Sequence, residues 1–537
     1  MMGRRHVFLL GAVLLTFSIL SSSSPALTVD HNVEYQTMDG FGIAVPSWLW
    51  DPNNTTQIAD MAVNDLGVSI IRVYPEHDFE PVNDNGDPMS LNMSGFSQDG
   101  VREQLEVLRK FADAGVDKII LSVFSPPHWM KQNNNCCGTE CLAGDPGCTN
   151  RLRTDMYDEF TEFYVAYIRA IEQFAGKEVF AISPENEPNW GQWYSSCVYS
   201  YTEMRDVTKA LHQRFVNEGI DVDIFGAEDL MSNNWGPYYG TCMQDPACKE
   251  ALDILAVHTY EMDGATASSP SAVKWRRVGD AGAAHGKRVW MTETSGHHDN
   301  WSDAMAQANA IHAAVKWGDV AGYVYLTFNT PSGANEDEAL VIDGHRKAVY
   351  YASKNYYRWI RPGAVRILAD DTEDDEVLAT AFNHKQNKTL TVVILNTASQ
   401  TKTVNLTGTD FPSFTVYRSS AGEDCVQVNG AISGATVTLP PSSVTTLYGT
   451  GYDMEPVRVR GGGSHTLAGG AAARFDRSGT RVYTIDGRLV TALGEAQLDD
   501  NGRVRWVRSG ANGRPLSPGA YIVNSPRGAA AAFTTGR

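Results

Sequence analysis

From about residue 39 to 355 one pattern recurs: an amphipathic stretch with helical spacing, a glycine suited to the left-handed cap, then an apolar run of strand length. Leu66-Gly67-Val68 leads into Ile70-Ile71-Arg72-Val73, and Ala114-Gly115-Val116 into Ile119-Ile120-Leu121. Glu218-Gly219-Ile220 precedes Ile224-Phe225, and His285-Gly286-Lys287 precedes Val289-Trp290-Met291. The spacing predicts helices over 101–114, where Leu105, Leu108 and Phe111 share a face, and over 157–174, where Tyr157, Phe160, Tyr164, Tyr167 and Ile171 do. Strands are expected near 40–45, 69–74, 118–124, 179–184, 222–227, 254–259, 288–293 and 321–327. Eight βα units predict an α/β fold built on a closed (β/α)8 TIM barrel, with an open doubly wound sheet as the rival.

Past Pro362 the helical period stops and short alternating strands follow: 377–382, 390–395, 404–406, 415–417, 436–439 and 444–448. These predict a β-sandwich, which Leu27 to Gln36 would complete from the other end of the chain. The expected organisation is therefore an N-terminal strand at 27–38, a barrel at 39–358 and a sandwich at 359–450. A Gly/Ala-rich linker at 451–480 then leads to a small all-β module at 481–537, where an Asp486-Gly487 turn joins two strand-like runs.

Residues 1–26 change the picture of where the chain works. Arg4 and Arg5, the apolar run Val7 to Leu20 and the small residues Ser21 to Ala26 follow the order of a secretory signal peptide. The apolar run is shorter than the ~20 residues that span a bilayer. The expected location is secreted or at the cell surface. Of the 537 residues, 42% are hydrophobic and 20% charged, which excludes disorder of the whole chain. A formal net charge of −19 argues against nucleic acid and against an anionic membrane as partners once the signal is removed.

Eight cysteines on an exported chain predict disulfides. Cys136, Cys137, Cys141 and Cys148 share one loop, which also admits a zinc reading, but no regular Cys-x-x-Cys pair occurs. Loop staples are the expectation, with neither metal nor cofactor, and the pairing stays open.

Barrels gather chemistry where strands end. The fourth strand closes in Ser183-Pro184-Glu185-Asn186-Glu187-Pro188 and the seventh in Trp290-Met291-Thr292-Glu293. These strands face each other across the mouth, so Glu187 and Glu293 can flank one glycosidic bond, one protonating the departing oxygen and the other meeting the oxocarbenium-like carbon. Two ordinary surface glutamates are the bland alternative. Glu185 competes with Glu187, since residues two apart share a strand face, but Pro188 puts the turn, and so the cleft, at Glu187. Aromatics crowd the same loops: Trp48, Trp50, Trp129, Trp190, Trp193, Tyr194, Trp235, Tyr238, Tyr239 and Trp301. Flat rings suit the C–H faces of sugars, though loop packing uses them equally. Trp129 is the candidate for a subsite wall, and Trp301 and Tyr325 are further substrate-binding candidates.

With these strings in order, together with Asp39-Gly40-Phe41-Gly42, Ser125-Pro126-Pro127-His128-Trp129-Met130, Arg361-Pro362-Gly363 and Leu439-Pro440-Pro441-Ser442, the chain resembles glycoside hydrolase family 30 from Val33 to Thr450. The resemblance implies a barrel fused to a β-sandwich and a retaining double displacement with Glu293 as nucleophile and Glu187 as acid/base. It further implies that Asn186 binds the sugar 2-hydroxyl, that Arg72 keeps Glu293 ionised, and that His258 and Tyr260 orient nucleophile or sugar. The implied substrate is a β-linked plant polysaccharide, β-1,4-xylan first and a β-1,6-glucan or galactan next; a barrel that binds sugar without cleaving it is the non-enzymatic rival. Glucuronoxylanases of the family hold a glucuronate branch with an Arg after strand eight. Thr327 to Leu340 instead has no Arg or Lys and carries Glu336, Asp337 and Glu338. The C-terminal module resembles type IX secretion sorting domains through Tyr483 to Val490, Trp506 and Leu516 to Tyr521, which makes the secretion machinery an expected partner. A carbohydrate-binding module would expose more aromatics.

Overall fold

The computed structural model describes residues 25–451, apart from 47–54, 139, 232–234, 261–271, 370–373, 410 and 433–435, and beyond them residues 481–484, 489–492, 519–524 and 531–535. The signal-like segment up to residue 24, the linker, Trp48, Trp50 and Trp506 lie outside the described residues.

After the N-terminal strand β1 (Ala26–Thr37), eight strands alternate with helices: β2 (Gly40–Ala44), β3 (Ile70–Val73), β4 (Lys118–Ser122), β5 (Val179–Ser183), β6 (Asp223–Leu230), β7 (Ile254–His258), β8 (Arg288–Glu293) and β9 (Val320–Tyr325). They close in chain order into a parallel barrel, with Gly322 to Tyr325 of β9 returning to pair with Gly40 to Ile43 of β2. That last pairing excludes the open sheet. The helix Tyr201–Glu218 shows how local signals set the intervening elements: Ser200 and Glu203 form a reciprocal capping box at its start, and Gly219, at φ 66°, ends it.

Inside the barrel, Ile70, Ile120, Phe225, Ile254, Trp290 and Val324 make a packed plug. Trp290 is its largest member, and its indole N–H donates to Asp39 at 2.7 Å. Arg288 reaches the same carboxylate at 3.1 and 3.2 Å. Asp39-Gly40-Phe41-Gly42 therefore does packing work at the barrel floor. A Cβ on Gly40 would lie 2.1 Å from Ser69 Oγ, and one on Gly42 would lie 2.7 Å from the Ile70 carbonyl.

The second body is one nine-stranded sheet folded into a sandwich. Its strands are β1, β10 (Val365–Ala369), β11 (Val377–His384), β12 (Thr389–Asn396), β13 (Lys402–Thr407), β14 (Phe414–Ser420), β15 (Glu423–Ile432), β16 (Thr436–Leu439) and β17 (Ser443–Thr450), in the order β15-β14-β17-β12-β11-β10-β1-β13-β16. β1 runs antiparallel to β10 and parallel to β13, with Leu27 and Val29 in the sandwich core. Two of these strands, β10 and β15, were not expected from the alternation pattern. β10 is short and crosses polar Arg366, and β15 opens on Glu423-Asp424 and contains Gly430; pairing with neighbours supplies what propensity lacks. The C-terminal strands Arg481–Thr484, Leu489–Ala492, Gly519–Asn524 and Ala531–Thr535 form a separate four-stranded antiparallel sheet.

A Cβ at Gly322 would stand 2.8 Å from the Trp290 indole in the fully packed plug. Gly322→Ala is expected to lower unfolding stability by about 1–3 kcal/mol, measured by denaturant titration; an unchanged midpoint would mean the plug yields freely.

Candidate active site

The mouth of the barrel is built from the ends of β3, β5, β6, β7 and β8. Backbone irregularities aim the side chains there. Glu187 sits at φ 50° and Glu228 at φ 49°, in the left-handed region that non-glycine residues rarely occupy. Register shifts at Ala227/Asp229 in β6 and at Met291/Glu293 in β8 mark β-bulges that re-aim Glu228 and Glu293. The Glu187 amide donates to the Glu228 carbonyl at 3.0 Å, tying the two turns together.

At the centre lies Arg72, completely buried. One of its terminal nitrogens meets Glu293 Oε2 at 2.5 Å and Tyr74 Oη at 2.6 Å. The other meets Glu228 Oε1 at 3.0 Å, Asn186 Oδ1 at 2.6 Å and Ser122 Oγ at 3.0 Å. His258, equally buried, spans the three carboxylates: Nδ1 lies 3.0 Å from Glu187 and 3.8 Å from Glu293, and Nε2 lies 3.4 Å from Glu228. The Tyr260 hydroxyl donates to Glu293 Oε1. One oxygen each from Glu187 and Glu293 and a His258 nitrogen lie within 4.8 Å of one another.

The surroundings of the two carboxylates differ. Burial acts to raise the pKa of Glu293, but His258, Arg72 and the Tyr260 hydroxyl outweigh it and hold the carboxyl below its ordinary value. Among the described residues the Glu187 carboxylate has a single hydrogen-bond partner, His258, and its side chain is 14% exposed, so it faces the cleft. Glu228 is also fully buried, yet Arg72 and His258 bring its pKa down to about 2. It is the residue that sequence reading missed: the expected strand stopped at 227, one residue short of the bulge. A carboxylate directly after the apolar end of a barrel strand was the available signal.

The structure brings Glu187, Glu293, Asn186, Arg72, His258 and Tyr260 together, and places the remaining candidates elsewhere. Trp301 is corrected to a brace: its indole N–H donates to the Ser442 carbonyl at 2.7 Å, pinning the barrel helix Trp301–Trp317 to the sandwich. Tyr325 is also corrected. It is fully buried in the shell between barrel and helices, 3.1 Å from His297 Nδ1, where no sugar reaches. Trp129 is half-buried and gives its N–H to the Glu80 carbonyl at 3.0 Å. Trp235 and Tyr238 are buried supports, whereas Trp190, Trp193 and Tyr194 stand exposed on the loop just after Glu187. Glu185 is completely enclosed behind the strand end, beside Lys131 and Cys197. Disulfides join Cys141 to Cys148 and Cys242 to Cys248. The cysteine-rich loop forms no cluster with metal-ligand spacing among the described residues.

Although burial alone would lower it, the three carboxylates raise the His258 pKa from 6.5 to about 10. The stability its charge contributes is complete below pH 6.5 and is lost as pH rises through 10. Glu228 works the other way, its contribution being present above pH 4.5 and lost as pH falls through 2. Melting temperature should therefore fall between pH 6.5 and 10, and His258→Gln should flatten that decline relative to the parent. Parallel curves for the two proteins would show that His258 is not charged in the folded barrel.

Residues 363–447 match the glycosyl hydrolase family 30 beta sandwich domain. A glucuronoxylanase, XynC, of Bacillus subtilis is 22% identical over 401 residues, covering 72% of this chain and 81% of its own. Among solved structures, the glycoside hydrolase family 30 subfamily 8 xylanase Xyn30A from Clostridium acetobutylicum superimposes with a TM-score of 0.65 at 19% identity, covering 79% of this chain and 100% of that one. An endo-beta1,6-glucanase, BT3312, does so with a TM-score of 0.60 at 18% identity, covering 80% and 96%. At such identities the solved structures speak for the fold, a barrel with its sandwich. The sandwich segment matches family 30 and the glucuronoxylanase relative spans most of the chain, so the chain is similar to family 30 glycoside hydrolases, which supports a glycosidase.

Proposed function

We propose that the protein is an exported retaining endo-β-1,4-xylanase. The observation that carries the mechanism is the close pair of unlike carboxylates. Oxygens of Glu187 and Glu293 within 4.8 Å of each other suit the ~5–5.5 Å of retaining pairs and leave no room for the water that inverting pairs hold at ~6.5–9.5 Å. Glu293, gripped by Arg72, Tyr260 and His258, is the ionised nucleophile that attacks the anomeric carbon. Glu187, facing the cleft, protonates the glycosidic oxygen as the bond to the aglycone breaks. It then takes a proton from the water that attacks the same carbon, which frees Glu293 and restores the β configuration. Asn186 Oδ1 accepts from Arg72, which leaves the Asn186 amide N–H groups for the sugar 2-hydroxyl. Trp190, Trp193 and Tyr194 supply a wall for the aglycone side of the chain.

The xylan reading draws on the names of the relatives, and the mouth itself modifies it. Glu338, half-buried after β9, senses the charge of Glu293. The next cations along the chain are spent elsewhere: Arg346 pairs with Asp65 at 3.1 Å, and Lys347 gives its ammonium group to the carbonyls of His297, Glu336 and Ala339 at 2.5, 2.6 and 2.7 Å. An acidic rim of this kind repels a glucuronate branch, so the substrate is the undecorated backbone. The β-1,6-glucan reading is second, favoured by the shared fold of the glucanase. Export rests on residues 1–26 as a cleaved signal and on 481–537, beyond the 451–480 linker, as a type IX sorting module. Among the described residues no helix is long and apolar enough to cross a membrane.

Glu187→Gln and Glu293→Gln should each reduce hydrolysis by several orders of magnitude with circular dichroism unchanged, and the product anomer read by proton NMR should be β. Near-normal turnover in either variant, or an α product, would remove that residue or the double displacement. On a panel of linear xylan, glucuronoxylan, β-1,6-glucan and β-1,6-galactan, linear xylan should be cut to mixed oligosaccharides at least as fast as glucuronoxylan. Strict dependence on the glucuronate branch would refute the acidic-rim argument, and cleavage of β-1,6-glucan alone would replace xylan as substrate.

A further inference from the structure

Beside the barrel, the loop after Phe79 packs against the start of the helix Tyr157–Ala175 and encloses acids that the hydrolytic site does not use. Glu80 is 0% exposed and Glu162 is 1% exposed, and no oxygen of either has a hydrogen-bond partner. Glu159, 8% exposed, uses one oxygen on Asn83 at 3.0 Å and leaves the other unpaired. Asp84 accepts from the Asn92 amide at 2.8 Å and from the Asn85 side chain at 2.9 Å through one oxygen, and its second oxygen is buried and unpaired. Six carboxylate oxygens from four residues are thus withdrawn from water without a hydrogen-bond partner.

The cation nearby is Arg214, which eases the charge on Glu162 but donates to the Pro88 carbonyl at 2.5 Å and pairs with Glu218 at 3.3 Å. The Asp84 amide eases Glu80 slightly without a hydrogen bond of normal geometry. Burial, and then mutual repulsion among these acids, pushes Glu80 up to about 9 and Glu162 up to about 8. Leaving buried carboxylates unpaired costs several kcal/mol each, so the cluster takes up either protons or a metal ion.

We propose that a calcium ion binds between this loop and the helix, held by carboxylate oxygens of Glu80, Asp84, Glu159 and Glu162. An all-oxygen set of about six donors suits calcium, whereas magnesium demands a tight octahedron and keeps its waters. No three of these carboxylates yet converge within 4.8 Å of one another, so binding draws the Asp84 loop toward the helix. Because the Glu80 carbonyl accepts from Trp129, the ion also stiffens the loop that carries this ring.

The full chain, stripped with chelator and brought to pH 8, should melt about 3 °C or more higher in calcium chloride than in chelator, with magnesium giving less. Isothermal titration should return one site per chain. The double variant Glu80→Gln/Glu162→Gln should lose the calcium response, and Asp84→Asn should weaken it if the double variant folds poorly. No difference between calcium and chelator overturns the proposal in favour of protonated acids. An equal response in parent and variants overturns it as well, placing the ion elsewhere, for example at Glu187 and Glu293.

Discussion

The buried ion pair of Arg72 with Glu228, 3.0 Å apart and wholly shielded from solvent, is the constraint around which the site is arranged. Each member reaches a different part of the chemistry. Arg72 extends to Glu293 and Asn186, and Glu228 extends through His258 to Glu187. The carboxylates of Glu228 and Glu293 face the cations Arg72 and His258 among groups withdrawn from water. Such an arrangement is tolerable because every charge has partners; removing one member of a buried pair typically costs ~3–5 kcal/mol. The same constraint separates the two glutamates chemically: one is saturated with donors, and the other is left with a single histidine contact and a view of the cleft.

Orientation comes from the backbone as much as from charge. β6 and β8 bulge where their carboxylates emerge, and Glu187 and Glu228 adopt left-handed backbone angles that the surrounding barrel must enforce. The enforcement has a visible source in the plug below. Trp290 fills the floor, is held by Asp39, and is matched by the missing side chain of Gly322 on the next strand. A rigid floor lets the rim hold strained turns in place.

The sandwich supports the barrel from the side. Its first strand comes from the N-terminus and the rest from beyond residue 364, so the barrel sequence is enclosed between two pieces of one sheet. Trp301 on Ser442, Asn355 on Ser419 at 2.6 Å and Thr446 on the Asn355 carbonyl at 2.8 Å stitch the barrel helices to it. Aromatic residues in these positions answer to packing, whatever their proximity in sequence to the loops at the barrel mouth.

The alternation of apolar runs and amphipathic helices was enough to determine the eight βα units, because strand and helix periods are local properties of neighbouring residues. The ends of those runs located Glu187 and Glu293 for the same reason. Glu228 was out of reach: it enters the site through a bulge, and a bulge is decided by pairing with β7, which no local period records. Trp301 and Tyr325 show the converse, since an aromatic side chain near a strand end reads alike whether it faces sugar, sandwich or helix. Which acids pair, which stay buried and alone, and which rings meet solvent were settled only when distant strands closed the barrel, since charge and burial depend on spatial neighbours that sequence order does not specify.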